Sequence, residues 1–268
     1  MPDSTTEALA RSARISAVTI CSQAGAAHVG SALSVIDILA VLYGQVARIS
    51  PASINDPERD IVLISKGHAA AGVYAVLGNA GFFPMAWLDT YCQDGAPLGG
   101  HVTASVPGVE LSTGALGHAL PFGVGRALAA VRDGSPRSTY LVLSDGECDE
   151  GSNWEAALLA AHHELGNLTV VIDRNGLQSL TTTELTLRLE PLAEKWAAFG
   201  WAVHEVNGHD HAALIRAITT RDDRPTVVIA STTKGRGVDY MEGQVPWHYK
   251  SPSAEQLADA ISQLEAGA

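Results

Sequence analysis

Two apolar runs in the middle of the chain close on residues that could hold a metal. "YLVLSD" ends on Asp145, which Gly146 follows, and "LTVVIDRN" ends on Asn175. The two polar residues lie 30 positions apart, the length of one strand, one helix and a second strand. If those strands are parallel neighbours, their carboxyl ends bring Asp145 and Asn175 together. A carboxylate oxygen, an amide oxygen and a nearby backbone carbonyl are hard donors suited to Mg²⁺ or Ca²⁺, and Mg²⁺ commonly completes its octahedron with water and ligand phosphates. Gly146 has no side chain to keep a phosphate from the backbone N–H. Taken singly, Asp-Gly and Asn-Gly are also ordinary turns after a strand.

Four histidines add to this set: His28, His68, His101 and His248 each stand in a small-residue loop or beside an expected strand end. There an imidazole can donate to phosphate or hydroxyl oxygens and pass protons near neutral pH. His162 and His163, on the helix after Gly151, read as packing or surface residues. The three cysteines, Cys21, Cys92 and Cys148, form no CxxC pair, so neither a disulfide framework nor a thiolate metal site is indicated. Cys148 lies close to Asp145 in sequence, but no base is placed to make it a nucleophile.

The elements that must position these residues follow from the pattern. Residues 5–25 and "SVIDILAVLYGQVAR" have helical spacing, the second with Ser34 and Asp37 spaced as a capping box. "DIVLIS" reads as a strand, "HAAAGVYAVLGNAG" as a helix that Gly81 can stop, and "MAWLDTYC" as a short helix. From Thr139 onward strands and helices alternate, which predicts an α/β fold: a parallel sheet with helices on both faces. The segments from Ser65, Asp145, Asn175 and Ser231 follow strand ends, where open parallel sheets bind ligands. A terminal amphipathic helix is expected at about 253–267. No repeat or composition break suggests a second domain, so residues 1–268 read as one.

The chain has 268 residues, 46% of them hydrophobic, and a formal net charge of −12 with 17 Lys plus Arg. That balance argues against a nucleic-acid surface or a polybasic membrane patch. We expect no apolar run long enough to cross a bilayer and no secretion signal in "MPDSTTEALARSAR", which makes a cytoplasmic location the default.

The Asp145–Asn175 spacing resembles the thiamine-diphosphate signature, Gly-Asp-Gly followed about thirty residues later by Asn. More narrowly, "EGSNWEAALLAAHHELGNL" and "EPLAEKWAAFGW" resemble the transketolases. So do "AHVGSALSVIDILAVLY", "SKGHAAAGVYAVL", "GHVTASVPGVELSTGALGHALPFGVGRALA" and "TTKGRGV" near "WHYKSP", all in family order over essentially the whole chain. "GVGRAL" lacks the third glycine of a dinucleotide fingerprint and is discounted.

The resemblance implies a diphosphate-binding fold with thiamine diphosphate and Mg²⁺ (or Ca²⁺) as cofactors. Asp145, Asn175 and the Leu177 carbonyl would hold the metal. His68, Gly146 and His248 would contact the diphosphate or the adjacent substrate channel, and Gly114 and Leu116 would lie against the cofactor rings. His28 and His101, with His248, would face the reacting carbon and the hydroxyls of a sugar-like donor. His118 stands where the family varies. Glu150 and Glu155 would sit near the subunit boundary, where such carboxylates link paired sites.

In single-chain transketolases a pyrimidine-binding domain follows, bringing a glutamate and the basic residues that grip the donor's phosphate. Here the sequence ends at Ala268, and "QLEAGA" reads as a natural finish. The implied arrangement is the amino-terminal subunit of a split transketolase, inactive alone and paired with a carboxy-terminal subunit in an α2β2 assembly. Its expected reaction is transfer of a two-carbon ketol unit from a ketose phosphate to an aldehyde-type acceptor. The alternatives are a specialised acceptor such as a carrier-protein thioester, or a non-catalytic cofactor-binding pseudo-subunit. Three departures from the family pattern point to a specialised relative. Ser144 replaces the first glycine, Arg174 brings a positive charge beside an anion site, and "SLTTTELTLRLEP" replaces an Ile-Asp-Gly turn.

Overall fold

The computed structural model describes residues 5–220 and 222–267. In chain order the elements are α1 (Thr5–Ala24), α2 (Val29–Val41), β1 (Ile61–Ile64), α3 (Ala70–Asn79), α4 (Ala119–Arg132), β2 (Thr139–Ser144) and α5 (Gly151–His162). Then follow β3 (Leu168–Arg174), α6 (Thr183–Thr186), α7 (Leu192–Ala198), β4 (Ala202–Asn207), α8 (His211–Thr219), β5 (Thr226–Ser231) and α9 (Ala254–Ala266). The strands form one sheet in the order β1-β2-β3-β5-β4, with every pair parallel.

Alternation along the strands divides the apolar residues between two cores. Val62, Ile64, Tyr140, Val142, Val171 and Val228 face a core shared with α1, α2, α3, α8 and α9. Ile61, Leu63, Leu141, Leu143, Val170, Ile172, Val227 and Ile229 face the core closed by α4, α5 and α7. The sheet is therefore covered on both faces, as the near-continuous apolar strands require.

Two expectations need correction. Ser34 and Asp37 do not cap α2. The helix begins at Val29, and both residues are buried within it. Ser34 Oγ donates to Asp173 at 2.6 Å, and Asp37 is ringed by Arg14, His209 and His211. Polar partners far away in sequence satisfy groups whose spacing reads as a local cap. The second correction concerns membranes: Val29–Val46 is long and apolar enough, by length and composition, to cross one, and 83% of it is buried inside the protein. Its α2 portion is buried on every side between α1, α3 and the sheet. A Cβ on Gly72 of α3 would come within 2.7 Å of the Ala32 carbonyl, so this glycine lets α3 press against α2.

Candidate functional site

Strand order decides where the ends of the sheet gather. β3 pairs with β5, while β4 lies beyond β5 at the edge, so a switch in winding opens a crevice at the carboxyl ends of the central strands. A cavity of about 200 Å³ lies at those carboxyl ends. Asp145, Gly146, Asn175 and Leu177 line it from the loops after β2 and β3. Lys66 and His68 come from the loop after β1, Lys234 and His248 from the chain after β5, and His28 from the start of α2. Gly114 and Leu116 border the same space.

The oxygen donors keep free capacity. Asp145 accepts from the Gly146 N–H (2.8 Å) at Oδ1, and from the Gly176 N–H (2.6 Å) and Arg174 Nη1 (3.1 Å) at Oδ2. A carboxylate has about four lone-pair sites, so one stays open. Asn175 Oδ1 accepts the Leu177 N–H at 3.1 Å, which turns the chain and presents the Leu177 carbonyl to the cavity. That carbonyl and the Gln178 carbonyl lie 3.5 and 3.4 Å from the Lys234 ammonium, so a cation is already held against this oxygen-rich wall. A Cβ on Gly146 would come within 2.8 Å of the Gln178 side chain. Among the described residues no cluster of three or more His, Cys, Asp or Glu is suited to a metal. A divalent ion would therefore draw on amide, backbone and ligand oxygens, and the donor set fits one of the hard cations.

His28 lies in the left-handed region, φ 73° and ψ 13°, at the N-cap of α2. Its N–H donates to the His248 carbonyl at 2.8 Å. Its ring centroid lies 4.9 Å from that of His248, 5.5 Å from His68 and 5.9 Å from His101. Burial, with His101 and Lys234 adding repulsion, lowers the His28 pKa to about 4. Burial and then Lys234 lower His248 to about 3. His68 falls well below its ordinary value, first by burial and then by Lys66. These three imidazoles are thus neutral near pH 7, and the lysines supply the positive charge. Lys234 is itself lowered to about 8, by burial and by Lys66.

A buried frame supports this wall. Lys66 pairs with Asp173, which also accepts from Ser34 and Thr232. These partners hold Asp173 below the carboxylate range although burial opposes them. Glu147 accepts from the Ser65 hydroxyl, from the Gly117 N–H (2.8 Å) and from the Ser144 N–H (3.3 Å). Even so, burial keeps its pKa raised. Arg174 reaches Asp145, Thr183, Glu184 and Glu190, so its charge is spent on carboxylates and does not stand free beside an anion site.

The remaining sequence candidates are placed differently. His101 is exposed and stands at the rim, its ring in contact with that of His28 and beside Gly114. Glu150 and Glu155 are exposed at the start of α5, and His118 is exposed before α4; none of the three lines the cavity. His162 and His163 are exposed. Cys148 is buried, and burial with Asp145 and Glu147 pushes its thiol well above its ordinary pKa, so it is no nucleophile.

Sequence reasoning missed Lys66, Lys234, Glu147 and Asp173. Lys66, Lys234 and Asp173 sat inside quoted motifs, "SKGHA", "TTKGRGV" and "VVIDRN", and Glu147 stands two residues past "YLVLSD". The available signal was a charged residue two or three positions past an apolar strand, or the last but one in it.

A doubly covered parallel sheet whose switch point carries a lysine- and histidine-lined, oxygen-rich cavity defines an α/β domain suited to a diphosphate and a hard cation. The chain belongs to the transketolase family, whose members are thiamine-diphosphate-dependent transferases: residues 5–265 match its domain described as "Transketolase, thiamine diphosphate binding domain". It is 45% identical over 241 residues to one named subunit of the apulose-4-phosphate transketolase of Actinobacillus succinogenes, covering 89% of this chain and 87% of that protein. The protein of the same name from Phocaeicola vulgatus is 42% identical over 250 residues, with 92% and 89% covered. The solved transketolase of Campylobacter jejuni superposes with a TM-score of 0.89 at 27% identity, over 99% of this chain and 43% of its own. The chain thus spans about two fifths of that solved enzyme and nearly the full length of relatives named as subunits.

Proposed function

We propose that this chain is the diphosphate-binding subunit of a two-subunit transketolase. With a partner carrying the pyrimidine-binding domain, in an α2β2 assembly, it takes part in transferring a two-carbon ketol unit from a ketose phosphate to an aldehyde-type acceptor. The observation that carries this reading is the convergence of Asp145, Asn175 and the Leu177 carbonyl with Lys234, a buried cation whose hydrogen-bond partners are all uncharged. The subunit designation of both relatives supports the partner, and their substrate name supports a phosphorylated ketose as donor.

Thiamine diphosphate, when bound, supplies a nucleophilic thiazolium carbon and an electron sink for the two-carbon fragment. Asp145, Asn175 and the Leu177 carbonyl would hold the Mg²⁺ or Ca²⁺. Lys234 and His68 would take the diphosphate beside Gly146, whose N–H is held by Asp145, and Gly114 and Leu116 would lie against the cofactor's rings. Lys234 donates to His248 Nδ1 at 3.0 Å, which leaves the His248 proton on Nε2. His248 thus offers a donor, while His28 and His101 can donate to, or accept protons from, the sugar hydroxyls and carbonyl.

The reading is tested by calorimetric titration of the chain with thiamine diphosphate and Mg²⁺, with and without a pyrimidine-domain partner, followed by a donor-consumption assay on ketose phosphates. Diphosphate and Mg²⁺ binding by the chain, with donor cleavage only when the partner is added, supports it. Binding without turnover across several donors favours a silent cofactor-binding subunit.

A further inference from the structure

Lys234 is carried over the cavity by the segment that follows β5. Its loop leaves β5 through three backbone anchors. The Thr232 N–H donates to the Arg174 carbonyl at 3.1 Å, and the Gly235 N–H donates to the Gly30 carbonyl at 2.9 Å. Between them the Thr233 N–H donates to His209 Nε2 at 2.9 Å. An amide nitrogen only donates, so Nε2 is unprotonated and Nδ1 carries the hydrogen. That Nδ1–H donates to Asp37 Oδ2 at 2.5 Å, while His211 Nε2 meets Asp37 Oδ1 at 2.9 Å and Arg14 closes the remaining side. Asp37 therefore fixes both the tautomer and the ring orientation of His209. The loop holding His209 is pressed against the end of β5, since a Cβ on Gly208 would come within 2.4 Å of Thr232 Cγ2.

We propose that His209 is a positioning residue for phosphate binding: Asp37 orients it, its Nε2 holds the Thr233 amide, and the held amide fixes Lys234 over the Leu177 and Gln178 carbonyls. This rests on the reading of Lys234 as a diphosphate ligand. Helix α2 then sets two walls of the cavity, one through His28 at its N-cap and the other through Asp37 about two and a half turns further on.

Two isosteres separate the functions of the ring. Glutamine at 209 places an accepting oxygen where Nε2 sits, while asparagine places a donor where Nδ1–H sits and nothing where Nε2 was. The full chain is titrated with inorganic pyrophosphate and Mg²⁺, alongside Lys234→Met, His209→Asn and His209→Gln, with each variant's fold checked by circular dichroism. Lys234→Met should weaken binding about tenfold to a hundredfold, the worth of a charge-assisted hydrogen bond. His209→Asn should weaken it about fivefold or more, and His209→Gln should stay within about threefold of the wild type, the range of one neutral hydrogen bond. In the ligand-free chain, hydrogen exchange of the peptide covering 231–236 should quicken in His209→Asn and not in His209→Gln. Equal affinity and equal exchange in both His209 variants overturn the positioning role, as does His209→Gln behaving like His209→Asn. If Lys234→Met binds as tightly as the wild type, or the wild type binds no magnesium pyrophosphate at millimolar concentration, the phosphate reading falls instead. The exchange data then decide separately whether His209 anchors the loop.

Discussion

Lys66 and Lys234 are both sealed from solvent at the carboxyl end of the sheet, yet they are solvated in opposite ways. Lys66 is paired with Asp173, itself buried and further satisfied by Ser34 and Thr232. Lys234 has two carbonyls and an imidazole nitrogen, all uncharged. Burial of a cation is tolerated in the first case by a permanent counter-ion, and in the second it leaves an electrostatic demand that an anionic ligand can meet. The first lysine belongs to the frame and the second to the site.

Breaking the frame should have the largest effect. Lys66→Met leaves a buried, uncompensated Asp173 carboxylate and should cost about 3–5 kcal/mol in urea unfolding, most of it recovered in the Lys66→Met/Asp173→Leu double variant. On the site side, Asp145→Ala should weaken Mg²⁺ affinity by about a hundredfold or more at fixed thiamine diphosphate, followed by tryptophan fluorescence, since loss of even an outer-sphere partner costs about 10–100-fold. Lys234→Met should leave the unfolding midpoint of the ligand-free chain unchanged or slightly raised, the reverse of Lys66→Met. Equal destabilisation by the two substitutions would erase the contrast.

The smallest effect is a pH dependence. His28 and His248 titrate at about 4 and about 3 in the folded chain, against an ordinary value near 6.5. Below pH 6.5 the unfolded chain binds protons that the folded chain refuses. Stability should therefore be fully present above about pH 6.5 and decline as pH falls toward 4. Urea midpoints measured between pH 7 and pH 5 should show this fall, with a shallower slope in His248→Gln.

Alternating strand and helix patterns made the fold legible. The positions of Asp145 and Asn175 after neighbouring strands follow from chain distance, because one crossover returns the chain to the same end of the sheet. The Ser34–Asp37 pair misled because spacing alone cannot tell a local cap from polar groups satisfied by Asp173, His209 and His211 across the fold. Lys66 and Lys234 were illegible for a related reason. A lysine in a sequence carries no sign of whether a carboxylate will meet it, and that difference separates a structural ion pair from a ligand. The apolar window of α2 shows the same limit, since burial between α1, α3 and the sheet is a property of the packed chain.

The left-handed backbone of His28 has a practical consequence. Glycine adopts φ 73° without steric cost, so His28→Gly removes the imidazole while keeping the chain path into α2. The vacated space is then the shape of a small heterocycle. Imidazole added to the buffer should occupy it and restore part of the lost function in a reconstituted complex, turning one side chain into a diffusible reagent whose own pKa can be varied by methyl substitution.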